Sequence, residues 1–237
     1  SIDSMKSAVV SWALDAGATI ANDVWGLQRD REMAALVARR NVPVIIMHNR
    51  DSAEAGLDIM KDIAALFERS LQIAAKAGIP ADRIVLDPGI GFGKTQEQSM
   101  TALARLDELR RFGLPLLVGA SRKRVISSVV PSEPRQRIGG SIAAHLIAVK
   151  GGARIIRTHD VAETVQALRA SAVRLVGMSV ARNASERPQT VGGGVFASCI
   201  SETMKTNAIR SKCSAKPRLR TRLPFRILPR RRRKSRR

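Results

Sequence analysis

Residues 83–94 read RIVLDPGIGFGK. Strand-favouring residues run into a carboxylate at Asp87, Pro88 halts the run, and Gly89, Gly91 and Gly93 follow. Glycines so placed let the backbone take positive φ and approach a ligand closely. Working outward, the same plan recurs, a short apolar run closing on a polar side chain. ATIAND at 18–23, VPVIIMH at 42–48, PLLVG at 115–119 and ARIIRTH at 153–159 read as strands, and Ser1-Ile2-Asp3 reads as the end of another. That gives six strands. Between them, amphipathic stretches predict helices at roughly 5–16, 30–40, 56–77, 96–112, 135–151 and 160–174, several ended by glycine. Repeated strand and helix units build a parallel sheet, either closed into a barrel or open and doubly wound. Every strand end carries polar groups: Asp3, Asn22 with Asp23, His48, Asp87, Ser121-Arg122-Lys123, and Arg157 with His159. A barrel gathers such ends on one rim, where active sites are built, whereas an open sheet scatters them. The set therefore favours the barrel.

The chain has 237 residues and a formal net charge of +21. Of its 41 Lys and Arg, fifteen lie between Lys205 and Arg237, where there is no acid, so 26 face the 20 Asp and Glu of the remainder. Most of the basicity belongs to a tail. Hydrophobic residues at 44% suit one sizeable core and exclude a wholly disordered chain. The two cysteines, Cys199 and Cys213, make neither a disulfide framework nor a structural zinc site. No apolar run approaches the ~18 residues of a membrane span, and the opening SIDSMKSAVV lacks signal-peptide character, so the expected location is cytoplasmic. Because Ser1 stands inside a strand end, a preceding segment is expected. The division expected is a barrel domain at 1–175 and a low-complexity basic tail at 176–237, read as disordered. The tail suits nucleic acid only nonspecifically, if at all, since Phe196 and Phe225 are its sole aromatics and no recognised module is present.

Three clusters carry chemistry. The Asp87 carboxylate can take two parallel hydrogen bonds from an amidine-like N–H pair on a heterocycle; the spacing matches neither a Walker loop nor a dinucleotide fingerprint. Ser121, Arg122 and Lys123 after an apolar run suit an anionic or carbonyl-bearing ligand. Arg157 and His159, two apart on an extended strand end, share a side and could clamp phosphate. His145, inside the apolar helix SIAAHLIAV, reads as structural, and His48 is intermediate.

SIDS with Lys6, AND at 21–23, IIMH at 45–48, LDPGIGFGK, LLVGASRKR, GGSIAAHLIAVKGGARIIRTHDV and ETVQALRA, in this order, resemble the dihydropteroate synthase family over about residues 1–172. The resemblance implies a TIM (β/α)8 barrel of the α/β class, incomplete here, with about six parallel strands corresponding to strands 3 to 8. It implies condensation of hydroxymethyl-dihydropterin pyrophosphate with para-aminobenzoate, in folate biosynthesis. Carried over, Asp3, Asn22, Asp87, Lys123, Arg157 and His159 would hold the pterin pyrophosphate, with Lys123, Arg157 and His159 as the catalytic group. Phe92, Ser121 and the stem of Lys123 would line the aminobenzoate pocket, where sulfonamides compete. Mg2+ is the implied cofactor; its ligand is expected in the family's NVTPDSFSDGG stretch, which is absent from this sequence along with GGESTRPG, so no metal ligand is assigned here. Without those two strands an exposed sheet edge is expected. A homodimer is implied for the complete enzyme. Two other readings stand beside this one. A pterin-binding methyltransferase domain shares the barrel, although SRKR and RTHDV favour the synthase; a nucleic-acid-binding protein would act through the tail.

Overall fold

Apolar runs without alternation, such as VIIM and IVLD, make stable strands only when both faces are covered. In the computed structural model, which describes residues 1–175 and 196–199, they are buried throughout. The strands are β1 (Ile2–Asp3), β2 (Ala21–Asp23), β3 (Val44–Met47), β4 (Ile84–Asp87), β5 (Leu116–Val118), β6 (Ala153–Thr158) and β7 (Phe196–Cys199). The helices are α1 (Ser7–Asp15), α2 (Arg31–Arg40), α3 (Ile59–Lys76), α4 (Gln96–Ala104), α5 (Arg124–Ser127), α6 (Ile138–Lys150) and α7 (Val161–Leu175). All strand pairs are parallel and the sheet order follows the chain, β1 to β7. A doubly wound sheet reverses its order at a switch point. Here there is no reversal, so right-handed crossovers put every helix on one face and the sheet curls as part of a barrel.

The period of two divides the core. Ile20, Ile45, Val85, Leu117 and Ile155 cluster on the concave side. Their neighbours Ala21, Val44, Ile46, Leu86, Val118 and Ile156 join the larger cluster under the helices. α3 shows how a helix is fixed there. The Asp58 side chain accepts from Met60 N and Lys61 N at its start, and Ile59, Ile63, Leu66, Phe67 and Ala74 form a buried stripe. The Phe67 ring meets Phe112 edge-on, with centroids 5.6 Å apart. Between β5 and β6 the register jumps, with Leu116 opposite Ala153 and Leu117 opposite Ile155, so exposed Arg154 is an extra residue.

The six expected strands are all present, and the sheet has a seventh. β7 lies in the stretch read as a disordered tail and pairs with β6 from Ile155–Phe196 to Thr158–Cys199. The reason is local: β6 presents unpaired N–H and C=O groups, and any extended segment within reach satisfies them. Among the described residues the sheet stays open, with β1 and β7 as its two edges. The rest of the tail, with its nucleic-acid reading, lies outside the described residues. The helix expected over 96–112 ends at Ala104 and continues as a 3-10 helix over Leu106–Phe112; α5 was not expected. Among the described residues no helix is long and apolar enough to cross a membrane.

Candidate functional site

Since Val85 faces the concave side, alternation aims Asp87, two residues on, the same way; Ile20 does the same for Asn22 and Ile155 for Arg157. The bulge at Arg154 matters here. Ala153 belongs to the helix-side cluster, so without the extra residue Arg157 would share its side. Instead Arg157 Nη2 donates to Asp87 Oδ2 at 2.7 Å across the concave face, the two side chains being 17% and 1% exposed. Asp87 Oδ1 accepts from Gly89 N at 2.8 Å. Each oxygen keeps a second lone pair, the capacity an amidine edge requires. Gly119 faces Arg157 across the sheet, and a Cβ there would stand 3.0 Å from the guanidinium, which would have to shift by a few tenths of an ångström.

The other expected residues stand at the same strand ends, in pairs. Asn22 Nδ2 donates to Asp3 Oδ1 at 2.7 Å, as the register of β1 against β2 dictates. Ser121 Oγ lies 2.9 Å from His159 Nδ1 and accepts from His159 N at 3.2 Å. Lys123 Nζ donates to Ile90 O and sits 4.4 Å from the centroid of the Phe92 ring. Two buried atoms are left without a hydrogen-bond partner at this rim, the acceptor Asn22 Oδ1 and the donor Arg157 Nη1. Buried polar atoms are rarely left so, and a bound polar ligand would satisfy both.

Arg122 is the exception to the expected set. At φ 57 its guanidinium turns away from the ligand side and pairs with Asp160 through Nε and Nη2. Lys123 turns to Ile90 O and the Phe92 ring, and Arg122 closes the loop behind it through Asp160. His145 is buried as expected, 3.4 Å from Thr164 Oγ1. His48 follows Val44 and Ile46 onto the helix side, away from Asp87.

A cluster around His48 was not foreseen. Lys94 Nζ lies 2.6 Å from His48 Nδ1 and donates to Gly89 O at 3.0 Å and Phe92 O at 3.1 Å. His48 Nε2 lies 2.9 Å from Asp62 Oδ2, which also accepts from Arg50 Nη1 at 3.0 Å. Burial, the Lys94 charge and Arg50 push His48 down to about 4 against the pull of Asp62, so the ring is neutral at neutral pH. Burial tends to raise Asp62, but hydrogen bonds from Arg50 and His48 hold it below the usual carboxylate range. The sequence signals were His48 at a strand end and the lysine closing GFGK, and nothing local tied the two together across 46 residues.

Burial lowers Lys94 to about 7, with Asp87 and Asp62 opposing and Lys123 and Arg50 assisting. Burial lowers Lys123 to about 7 as well, opposed by Asp87 and assisted by Arg157. Between these values and the ordinary 10.5 the unfolded chain holds protons the folded chain has released, so stability rises with pH across that window and is lost as pH falls toward 7. Urea midpoints should increase from pH 7 to pH 9, each lysine contributing up to ~1.4 kcal/mol per pH unit. Lys94→Met should flatten the rise; an unchanged slope would remove Lys94 from the account.

Residues 1–159 match the family model described as "Pterin binding enzyme". A curated relative, the dihydropteroate synthase of Clostridium beijerinckii, is 40% identical over 168 residues, covering 70% of this chain and 62% of its own length. The chain thus spans less than two thirds of that relative. A dihydropteroate synthase from Clostridium difficile, solved in the presence of pteroic acid, superposes with a TM-score of 0.70 at 43% identity, over 73% of this chain and 66% of the other. The Xanthomonas albilineans dihydropteroate synthase with 4-aminobenzoic acid gives a TM-score of 0.70 at 40% identity, over 73% and 67%. A family match over two thirds of the chain, on a curled parallel sheet whose strand ends carry a buried carboxylate and its cations, shows that this chain belongs to the pterin binding enzymes.

Proposed function

We propose that this chain carries the pterin-holding part of a dihydropteroate synthase, which joins hydroxymethyl-dihydropterin pyrophosphate to para-aminobenzoate and releases dihydropteroate and pyrophosphate. The observation that carries this reading is the buried Asp87–Arg157 pair, with unused acceptor capacity on the carboxylate and an unpartnered Nη1 on the guanidinium. Asp87 accepts from the amino group and ring N–H of the pterin, held in place by Gly89 N and Arg157. Asn22, braced by Asp3, offers its free oxygen to a further donor of the same ligand. Arg157 and His159 face the pyrophosphate. In the reaction the pterin C–O bond breaks, its electron pair leaving with pyrophosphate. The aminobenzoate nitrogen then supplies the pair for the new C–N bond and sheds a proton to solvent. No covalent nucleophile is required. A carboxylate near the cationic pterin, and cations near the departing anion, lower the barrier where charge develops. Phe92, Ser121 and the stem of Lys123 line the place of the aminobenzoate, the site where a sulfonamide competes.

Mg2+ belongs to this reading as the family's cofactor, where it would neutralise the leaving group. Among the described residues no group of three or more His, Cys, Asp or Glu could hold a metal, so the residues present do not by themselves form its site and no step is routed through it. A cytoplasmic location and a homodimer complete the reading.

The test uses the 237-residue chain with a pterin analogue in a calorimeter and, separately, both substrates with chromatographic detection of dihydropteroate. Saturable pterin binding with turnover slow or absent is the expected result. No pterin binding would overturn the reading of Asp87. Rapid turnover would show that a metal ligand outside these residues is dispensable.

A further inference from the structure

We propose that Lys94 is a positioning residue of this site: it fastens the Gly89–Gly93 loop to the end of β3 and so sets where Phe92 and Lys123 stand, without itself meeting substrate. The proposal rests on the synthase reading for its consequence and on geometry alone for its mechanism. An ammonium has three N–H donors, and Lys94 finds three acceptors, Gly89 O, Phe92 O and His48 Nδ1. The first two are carbonyls at opposite ends of the glycine turn, so one side chain closes the loop on itself. The third ties it to β3. His48 can accept at Nδ1 only if its proton sits on Nε2, and Asp62, 2.9 Å from Nε2, selects that tautomer. Arg50, bonded to Asp62 and to Glu54, holds Asp62 in place. The loop has no slack on this side. A Cβ on Gly89 would stand 1.9 Å from His48 O, and one on Gly93 2.4 Å from Arg50 O.

On the opposite face the same loop meets the site. Ile90 O accepts from Lys123 Nζ, and Phe92 lies under that ammonium. The loop is held between two lysines, one on the helix side and one on the concave side. Slackening the outer one releases the surface against which the inner one is set. The groups facing Lys94 are His48, Asp62, Arg50, Asp87 and Lys123. Burial lowers Lys94 to about 7, so below that pH the closed loop holds a buried charge that opening would return to water, and opening becomes harder as pH rises from 6 to 8.

The experiment compares the wild-type 237-residue chain with Lys94→Met, an uncharged side chain of similar length. Amide hydrogen exchange of Gly91, Phe92 and Gly93, without ligand and corrected for base catalysis, should be at least 10-fold faster in the variant while the β3 and β4 amides hold. In the wild type the same corrected rates should fall from pH 6 to pH 8, because the opened loop returns Lys94 to water and regains the proton that the closed loop sheds near pH 7; in Lys94→Met they should be flat. With a pterin analogue and pyrophosphate present, para-aminobenzoate affinity should fall at least 10-fold while pterin affinity stays within about threefold. Equal acceleration across the sheet, or equal loss of both ligands, would mean a merely structural lysine and would overturn the proposal, as would no change. Should Lys94→Met not fold, Asp62→Asn, at a side chain 21% exposed, frees the His48 tautomer and should loosen the same three amides; unchanged protection there would overturn it too. A wild type that binds no pterin would sink the synthase reading, while the ligand-free exchange would still decide the tether.

Discussion

Replacing Asp87 by Asn is expected to weaken binding of a pterin analogue by about one to two powers of ten, read by calorimetric titration. Loss of one buried charge-assisted hydrogen bond costs ~1.5–3 kcal/mol, which converts to that range. Asn keeps one oxygen, so it still accepts from Gly89 N or Arg157, but it presents an N–H where the carboxylate presented a lone pair to the ligand. The substitution also leaves the Arg157 charge without its counterion, so stability should fall by ~1–3 kcal/mol. Affinity and stability are separable here, because calorimetry on the folded chain reads only the first. Asp51→Asn provides the contrast. Its pair with Arg29 has both side chains exposed, so urea stability should change by less than ~1 kcal/mol and pterin affinity not at all. Equal pterin affinity of the wild type and Asp87→Asn would remove Asp87 from the site.

Gly89→Ala should cost more in stability than any other single methyl added to the loop. The added Cβ would stand 1.9 Å from the His48 carbonyl oxygen, at φ +67. The clash is with backbone of a buried strand end, so no flexible side chain can move aside, and the loop itself must shift. Left-handed strain of ~1–2 kcal/mol and overpacking of ~1–3 kcal/mol put the loss on the order of 2–5 kcal/mol. Gly113→Ala separates the two causes. Its φ is +66 and nothing lies within 4 Å of the added carbon, so it should lose only the ~1–2 kcal/mol of backbone strain. Denaturant midpoints of the two variants, side by side, make the measurement; equal losses would show that the loop does not press on β3 as described. Because Gly89 also donates to Asp87 Oδ1, the folded fraction of Gly89→Ala should bind pterin weakly.

Asp87 is held by Gly89 N, Gly89 O by Lys94, Lys94 by His48 and His48 by Asp62, a chain of contacts from the concave face to the helix layer. Ser121, Lys123 and His159 are tied in the same manner, through Ser121 to His159 and through Lys123 to Ile90 O. A site on such supports holds its geometry before ligand arrives, and the ordering cost on binding is correspondingly small.

By itself the sequence determined the six strands, their polar ends and the glycine turn after Asp87, because these rest on short-range rules. An apolar run of a few residues, a halting proline and a period of two are all written within a dozen positions. The gathering of Asp3, Asn22, Asp87, Lys123, Arg157 and His159 at one end of the sheet was legible too, since strands in parallel all end at the same side. Which way each side chain turns at that end was not. The extra residue at Arg154 exchanges the two faces of β6 and sends Arg157 to Asp87, and a bulge depends on how two strands 37 residues apart share their hydrogen bonds, as Leu117 and Ile155 do one step later. Arg122 and Lys123 look alike in sequence, yet Asp160 captures the first and the loop carbonyl of Ile90 the second. His48 and Lys94 meet only because β3 and β4 are neighbours, and β7 forms within the uncharged apolar run VFASCI at 195–200, where the free edge of β6 supplies its partners. Local pattern fixes an element and its register fixes its faces; the register is settled by the neighbouring strand, which only the folded chain provides.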